Sequence, residues 1–193
     1  MRTMAEWVAA AQPLGSLGEA AVRWQMAQSG ESRETVWARM RSRLEVMRAS
    51  VSAGLDPSLK SVSGMVGGQA SRMMAPGQPE RFGLLGRACA YALSVAESNA
   101  CMGKIVAAPT AGSCGILPGA LLSAQEAGGF SDDALVMALF AAAAVGHAIA
   151  LQATVSGAEG GCQAECGTAA GMAAAALAQL YGCLLYTSPS PRD

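Results

Sequence analysis

One apolar run constrains the fold more than any other feature of the sequence. Residues 134–151 read ALVMALFAAAAVGHAIAL, with His147 as the only strongly polar side chain. The run approaches the length of about 20 residues that a membrane-spanning helix needs. However, Asp132 and Asp133 stand at its start, where negative charge stabilises a helix N-terminus, and no basic residues flank it. We predict a buried central helix, with a membrane span as the alternative.

The composition favours an all-α fold. Of the 193 residues, 52% are hydrophobic, whereas Trp, Tyr and Phe occur only three times each. Alanine, glycine and methionine are abundant, which suits closely packed helices better than a β-sandwich. The first third shows helical periodicity, with apolar residues every three to four positions at Val36, Met40, Leu44, Met47 and Val51. We therefore predict one compact helical domain whose site is formed by glycine-rich loops.

Short signals mark several helix boundaries. Ser16 and Glu19 have the spacing of a capping box, and Gly54 followed by Pro57 predicts a helix end. Helical periodicity resumes over residues 82–99, where the predicted apolar side consists of Leu84, Leu85, Ala88, Tyr91, Ala92 and Val95.

The charge and the cysteine content restrict the classes of function that the chain can have. The chain has 13 basic and 14 acidic residues, so no electrostatic pattern for binding nucleic acid or an anionic membrane is present. The six cysteines lack the dense spacing of a secreted disulfide scaffold, and no signal peptide is apparent, which predicts reduced thiols in the cytoplasm. Four of them are predicted to be small buried apolar residues, namely Cys89, Cys101, Cys166 and Cys183.

Three irregular stretches interrupt the helical pattern. Residues 61–79 are rich in Gly, Ser and Pro and are predicted to form a long loop. Residues 107–115 (AAPTAGSCG) precede an apolar helix with Pro118 in its first turn. Such a stretch can hold a phosphate or carboxylate by backbone N–H groups and the helix N-terminus, although a tight turn with a cap would look the same.

The third irregular stretch, residues 155–167 (VSGAEGGCQAECG), combines two carboxylates, two cysteines and four glycines. These are the ingredients of a metal or cluster site, because thiolate ligands select zinc or iron–sulfur centres. Spacing alone leaves the chemistry open, since Cys162 and Cys166 have no second cysteine pair. Glu159 and Glu165 either converge for acid–base work or cap a helix, and His147 is predicted to be a hydrogen-bonded core imidazole rather than a metal ligand.

Three segments, in order, resemble the alpha portion of iron–sulfur L-serine dehydratases. They read GMVGGQA, then ESNACMGKIVAAPTAGSCGILPGALLSA, then VSGAEGGCQAECGTAAGMAAAALAQL, and the similarity covers roughly residues 33–180. The resemblance implies a mostly helical fold and deamination of L-serine to pyruvate and ammonia by elimination of water. It also implies a 4Fe–4S cluster held by three cysteines, with one open iron acting as a Lewis acid for the leaving hydroxyl.

The resemblance also implies roles for individual residues. Cys162 matches the cluster ligand in GCQAE, while the two other ligands lie in downstream segments that this sequence does not reach. Cys166 falls where the family usually has an apolar residue, and Cys114 matches a position that varies between Cys and Ala. The residues that match or line the substrate pocket, where the serine carboxylate would be held, are Thr110, Gly112, Ser113, Ser156 and Gly157.

The catalytic base remains unassigned, and a beta subunit or beta domain is expected to complete the site in a homo- or hetero-oligomer. We expect residues 1–182 to form a truncated alpha-type helical domain and residues 183–193 (CLLYTSPSPRD) to be a non-native tail. On this interpretation the chain by itself is inactive. The alternative is a metal-free helical protein that binds a carboxylate or has a regulatory role.

Overall fold

A computed structural model describes residues 1–183, except for the side chains of residues 79–81. Apart from Cys183, the predicted non-native tail lies outside the described residues. The described part contains helices and no strand, which confirms the all-α prediction. The helices are α1 (Met4–Ala11), α2 (Leu17–Ser29), α3 (Arg33–Gly54), α4 (Gln69–Met73), α5 (Gln78–Ala100), α6 (Ile116–Gly128), α7 (Asp132–Gln152) and α8 (Gly157–Leu180), with 3-10 turns at Gln12–Leu14 and Ala111–Ser113.

Helix α7 is the central element, as its apolar sequence predicts. It packs against α8, α2 and α3, and ten of its 21 residues are buried. By length and composition alone α7 could also cross a membrane, but 61% of its most apolar window is buried inside the protein. His147 packs against two indole rings, with its ring centroid 4.6 Å from Trp24 and 6.2 Å from Trp7. Aromatic packing, rather than a hydrogen bond to another described residue, holds this imidazole.

The start of α7 is fixed by a cap and by charge. The Ser131 hydroxyl accepts a hydrogen bond from the Ala134 N–H, and Asp132 and Asp133 occupy the first turn, as predicted. The Arg48 guanidinium of α3 donates to both carboxylate oxygens of Asp132. Together with Gln125, this arginine holds the pKa of the Asp132 carboxyl well below its usual range. Helices α3 and α7 are thereby joined by charge as well as by apolar contact.

The predicted start of α2 and the predicted end of α3 are confirmed, but Gly54 has a different role from the one its sequence context suggests. Ser16 caps α2 by accepting from the Glu19 N–H, and α3 ends at Gly54. A Cβ at Gly54 would lie only 1.8 Å from the Ser94 carbonyl oxygen of α5. Glycine is therefore needed at this position for the close approach of two helix backbones.

Two predicted loops contain more helix than the sequence indicates. Helix α4 lies inside the 61–79 stretch, and α8 begins at Gly157, within the 155–167 stretch. Only Gly161 departs from helical geometry in that part of α8, with φ 74° and ψ 177°. Glycine costs about 1 kcal/mol per helical residue, and tertiary packing overrides a preference of that size.

The predicted apolar side of α5 is correct only in its second half. Tyr91 and Val95 are buried, whereas Leu84 and Leu85 are 47% and 74% exposed. These leucines lie just after a break in the helix at Gly83, where φ is 56°. Leu84 and Leu85 therefore lie on the same helical segment as Tyr91, and they are exposed because the rest of the described chain leaves these turns uncovered.

Candidate functional site

The carboxylate of Glu165, on α8, lies where two of the predicted site segments meet. The Thr110 hydroxyl donates a hydrogen bond of 2.6 Å to Glu165 Oε1. A Cβ at Gly112 would lie 2.8 Å from Glu165 Oε2, and a Cβ at Gly157 would lie 2.6 Å from the same oxygen. Any side chain at these two glycines would therefore clash with the Glu165 carboxylate. Three of the five predicted substrate-binding residues are thus brought together around one acidic group.

The loop that carries Thr110 is anchored from several sides. The Ser113 hydroxyl is 3.3 Å from Thr110 Oγ1 and donates to the Ala108 carbonyl oxygen, also at 3.3 Å. The Asn99 amide at the end of α5 donates to the Ala111 carbonyl oxygen. The Ala108–Pro109 peptide bond is cis. Ser113 is buried, so it supports the loop from beneath, while Thr110 is only partly covered.

Helix α8 presents Cys162 close to this acidic group. Cys162 is the first residue after the break at Gly161, and its side chain is exposed. Residues three apart on a helix are neighbours on one face, so Glu165 lies one turn along the same side. Ser156 stands just before the helix, and its carbonyl oxygen accepts from the Gly160 N–H at 2.9 Å. The structure thus places the predicted cluster ligand next to the predicted substrate pocket.

The two carboxylates of the cysteine-containing segment have separate hydrogen-bond donors. Glu159 Oε2 accepts from the Thr154 hydroxyl at 2.6 Å, whereas Glu165 is held by Thr110. The Glu165 carboxylate contacts Thr110, Gly112 and Gly157, whereas Glu159 contacts the predicted substrate-binding residues only through its backbone N–H, which donates to the Ser156 carbonyl oxygen. The structure therefore distinguishes two acidic residues that the sequence leaves equivalent.

The cysteines differ in their surroundings, and the prediction that four of them are buried is wrong. Cys89 and Cys183 are exposed, and Cys101 and Cys166 are partly exposed. They lie on helix faces or ends that the described chain leaves uncovered, where a small thiol is tolerated. Cys114 is the buried one, and burial raises the pKa of its thiol. Cys114 is therefore a small core residue with an unreactive thiol.

Cys162 and Cys166 form the one pair of cysteines in contact within the described chain. Their sulfurs are 3.6 Å apart, and the Cys162 thiol raises the pKa of Cys166, with partial burial contributing in the same direction. Among the residues that the structure describes, no group of three or more His, Cys, Asp and Glu side chains is arranged to hold a metal ion.

A buried acid in the ESNACMG segment escaped the sequence analysis. Glu97 is 1% exposed, and its Oε1 accepts from the backbone N–H groups of Gln69 and Ala70 at 2.8 and 3.4 Å. It caps the start of α4 directly after Gly67 and Gly68. Glu97 therefore connects the GMVGGQA segment to the ESNACMG segment. The available signal was a charged residue on the side of α5 that also carries buried Ala90 and Ser94.

Comparison with known proteins identifies the family of this arrangement. The sequence model described as serine dehydratase alpha chain matches residues 14–185, which is most of the chain. The chain belongs to the serine dehydratase alpha chain family. All the residues that surround Glu165 lie inside the matched range.

Two relatives show the extent of this similarity. The chain is 37% identical over 169 residues to the probable L-serine dehydratase alpha chain of Bacillus subtilis, which covers 86% of this chain and 56% of the relative. It is 43% identical over 142 residues to the L-serine dehydratase alpha chain of Peptoniphilus asaccharolyticus, with 72% of this chain and 49% of the relative covered. The chain therefore spans about half the length of these members of the serine dehydratase alpha chain family. No solved structure matches it.

Proposed function

We propose that the enzyme to which this alpha chain contributes deaminates L-serine. Loss of the α-proton and the β-hydroxyl gives an enamine, and hydrolysis of the enamine yields pyruvate and ammonia. The observation that carries the proposal is the convergence of Thr110, Gly112 and Gly157 on the Glu165 carboxylate, one helical turn from Cys162. Membership of the serine dehydratase alpha chain family and the similarity to L-serine dehydratase alpha chains support it.

We further propose that Cys162 is one ligand of a 4Fe–4S cluster. When bound, such a cluster supplies an open iron that acts as a Lewis acid toward the leaving hydroxyl. The exposed thiol at the start of a helical segment fits this role, because a soft thiolate there is accessible to iron. Since the described residues supply no set of three ligands, we place the remaining cysteine ligands outside them.

Cys166 is a poor second ligand for the same cluster. Two thiolates on one tetrahedral ion with bonds of 2.3 Å would be about 3.8 Å apart. The observed 3.6 Å between the Cys162 and Cys166 sulfurs matches that arrangement. In a cluster where each iron takes one protein ligand, two ligand sulfurs would have to stand farther apart.

The charge of the pocket suggests how L-serine is oriented. The amino acid carries an ammonium and a carboxylate, and Glu165 offers a negative charge held in place by the Thr110 hydroxyl. We propose that Glu165 binds the ammonium group. The serine carboxylate would then be bound on the other side of the pocket, by the Ser156 hydroxyl and by backbone N–H groups of Thr110, Gly112, Ser113 and Gly157. The base that removes the α-proton stays unassigned.

The metal-free alternative is less well supported. A protein that only binds a carboxylate at the 107–115 loop would use the same groups, and no observation favours it over the enzyme, whereas the family match and the similarity to L-serine dehydratase alpha chains favour the enzyme. We therefore favour the enzyme, with a beta subunit or beta domain as partner, a homo- or hetero-oligomeric assembly and a cytoplasmic location.

The function is tested on the complete enzyme, with the alpha and beta portions reconstituted anaerobically with iron and sulfide. We expect pyruvate formation from L-serine together with the broad brown absorbance of an iron–sulfur protein. Removal of iron by a chelator should abolish both, and the 193-residue chain alone should form no pyruvate. Deamination at an unchanged rate by iron-free enzyme would overturn the cluster, and failure of the loaded enzyme to form pyruvate would overturn the activity.

Glu165→Gln tests the proposed contact with the ammonium group. Glutamine can still accept the Thr110 hydroxyl, so the local structure is expected to persist while the charge is lost. A hydrogen bond to a charged group contributes about 1.5–3 kcal/mol, so kcat/KM for L-serine should fall about 10- to 100-fold, mainly through KM. Steady-state kinetics with Glu159→Gln as the matched control should show little change in the control, because the Glu159 carboxylate accepts from Thr154 and not from Thr110, and glutamine can keep that hydrogen bond. An unchanged KM in Glu165→Gln would contradict this role.

A further inference from the structure

We propose that Cys162 and Cys166 are a redox-active pair that closes reversibly to a disulfide. Their sulfurs are 3.6 Å apart, and no other two of the six cysteine sulfurs, all of which lie in the described part, are in contact. Cys162 is exposed and Cys166 is partly exposed, so an oxidant in solution reaches the pair. The disulfide itself does not depend on the proposed function. Only its consequence, the loss of Cys162 as a cluster ligand, rests on that function.

The helix geometry permits the bond but strains it. Four residues of helix rise about 6 Å, which lies within the range of Cα separations found in disulfides. The Cβ atoms of such a pair, however, are usually about 5–6 Å apart, farther than a relaxed disulfide allows. Cys162 directly follows the break at Gly161 and therefore lies in a first turn, where backbone N–H groups lack helical partners and the chain can adjust. A strained disulfide of this kind is readily reduced, which makes closure reversible.

The chemistry needs a hydroperoxide as the oxidant. The thiolate of exposed Cys162 attacks the peroxide oxygen, the O–O bond breaks, and Cys162 becomes a sulfenic acid as one water (or alcohol) leaves. The thiolate of Cys166 then attacks the Cys162 sulfur, and a second water leaves as the S–S bond forms. In total two thiols are oxidised by two electrons and one peroxide is reduced.

The consequence concerns loading of the cluster. A sulfur in a disulfide has no thiolate lone pair to offer to iron, so the oxidised chain cannot use Cys162 as a ligand until a thiol reductant reopens the bond. The pair would thus hold Cys162 in a recoverable state during oxidation, instead of leaving a sulfenic acid that proceeds to irreversible products.

Peptide mapping tests the proposal directly, because Glu165 lies between the two cysteines. The reduced, cluster-free chain is treated with one equivalent of hydrogen peroxide, blocked with N-ethylmaleimide and digested with a protease that cleaves after glutamate. We expect the peptide ending at Glu165 and the peptide beginning at Cys166 to remain joined until dithiothreitol is added. The oxidised chain should carry two fewer maleimide groups than the reduced chain.

Two variants control for other thiol chemistry. Cys89→Ala removes an exposed cysteine outside the pair and should still lose two maleimide sites on oxidation. Cys166→Ala should give no linked peptide and lose at most one site. Absence of the linked peptide from the oxidised wild type, or a loss of two sites in Cys166→Ala, would overturn the proposal.

Iron uptake by the complete enzyme separates this inference from the proposed function. Uptake by the reduced but not the disulfide form supports both. A linked peptide with no iron uptake in either form would leave the disulfide standing and contradict the cluster. Equal uptake by both forms would overturn the proposed withdrawal of the ligand.

Discussion

Gly54→Ala is expected to lower the free energy of unfolding by about 3 kcal/mol, or to prevent folding. The new Cβ would lie 1.8 Å from the Ser94 carbonyl oxygen, 2.3 Å from its carbonyl carbon and 2.7 Å from its Cα. These are backbone atoms of α5 and cannot rotate away as the end of a side chain can. Helices α3 and α5 must separate, and the apolar contacts along their shared length are lost with that movement.

Urea denaturation followed by circular dichroism measures this effect, with Gly171→Ala as the matched control. Gly171 is an interior residue of α8, where an added Cβ would meet the nearest atom, on Ile149, at an ordinary 3.7 Å. Alanine favours a helix over glycine by up to about 1 kcal/mol, so the control should be as stable as the wild type or more stable. A Gly54→Ala protein with the midpoint of the wild type would show that the two helices are not packed backbone to backbone.

The same kind of contact recurs at other glycines in the core. A Cβ at Gly115 would lie 2.1 Å from the Ala92 carbonyl oxygen, and one at Gly18 would lie 2.5 Å from the Met137 carbonyl oxygen. The composition therefore correctly predicts closely packed helices. It does not say which glycines make the contacts, because each contact joins residues far apart in the chain.

Secondary structure was predictable from the sequence where one helix face is apolar. Helix α7 and the buried side of α3 follow directly from the apolar run and from the spacing of Val36, Leu44, Met47 and Val51. Helix α4 and the start of α8 were not predictable, because glycine and serine favour loops locally. At α4 the deciding interaction is distant: the Glu97 carboxylate caps its first N–H groups from α5.

Most residues of the candidate site were predictable from the sequence, but the central position of Glu165 was not. Motif resemblance brings out Thr110, Gly112 and Gly157, and the structure gathers them around Glu165. The sequence leaves Glu165 equivalent to Glu159, because only the fold shows which of them faces Thr110. The assignment of Cys162 to a cluster remains a prediction that needs chemistry to test it.

Cys162→Ala is expected to abolish both cluster and activity in the complete enzyme. Each cluster iron that is bound by the protein depends on one thiolate, and no other described cysteine is placed to replace Cys162, since Cys114 is buried and the Cys166 sulfur occupies a different position. The Cys89→Ala variant removes an exposed thiol elsewhere and should leave both properties intact.

The decisive measurement is therefore iron content and pyruvate formation from L-serine in the anaerobically reconstituted enzyme, compared between Cys162→Ala, Cys89→Ala and the wild type. We predict that Cys162→Ala loses the brown absorbance and the stable iron content and forms no pyruvate, while Cys89→Ala matches the wild type in all three. A Cys162→Ala enzyme that keeps the iron content and the serine deamination rate of the wild type would contradict the assignment of Cys162 as a cluster ligand.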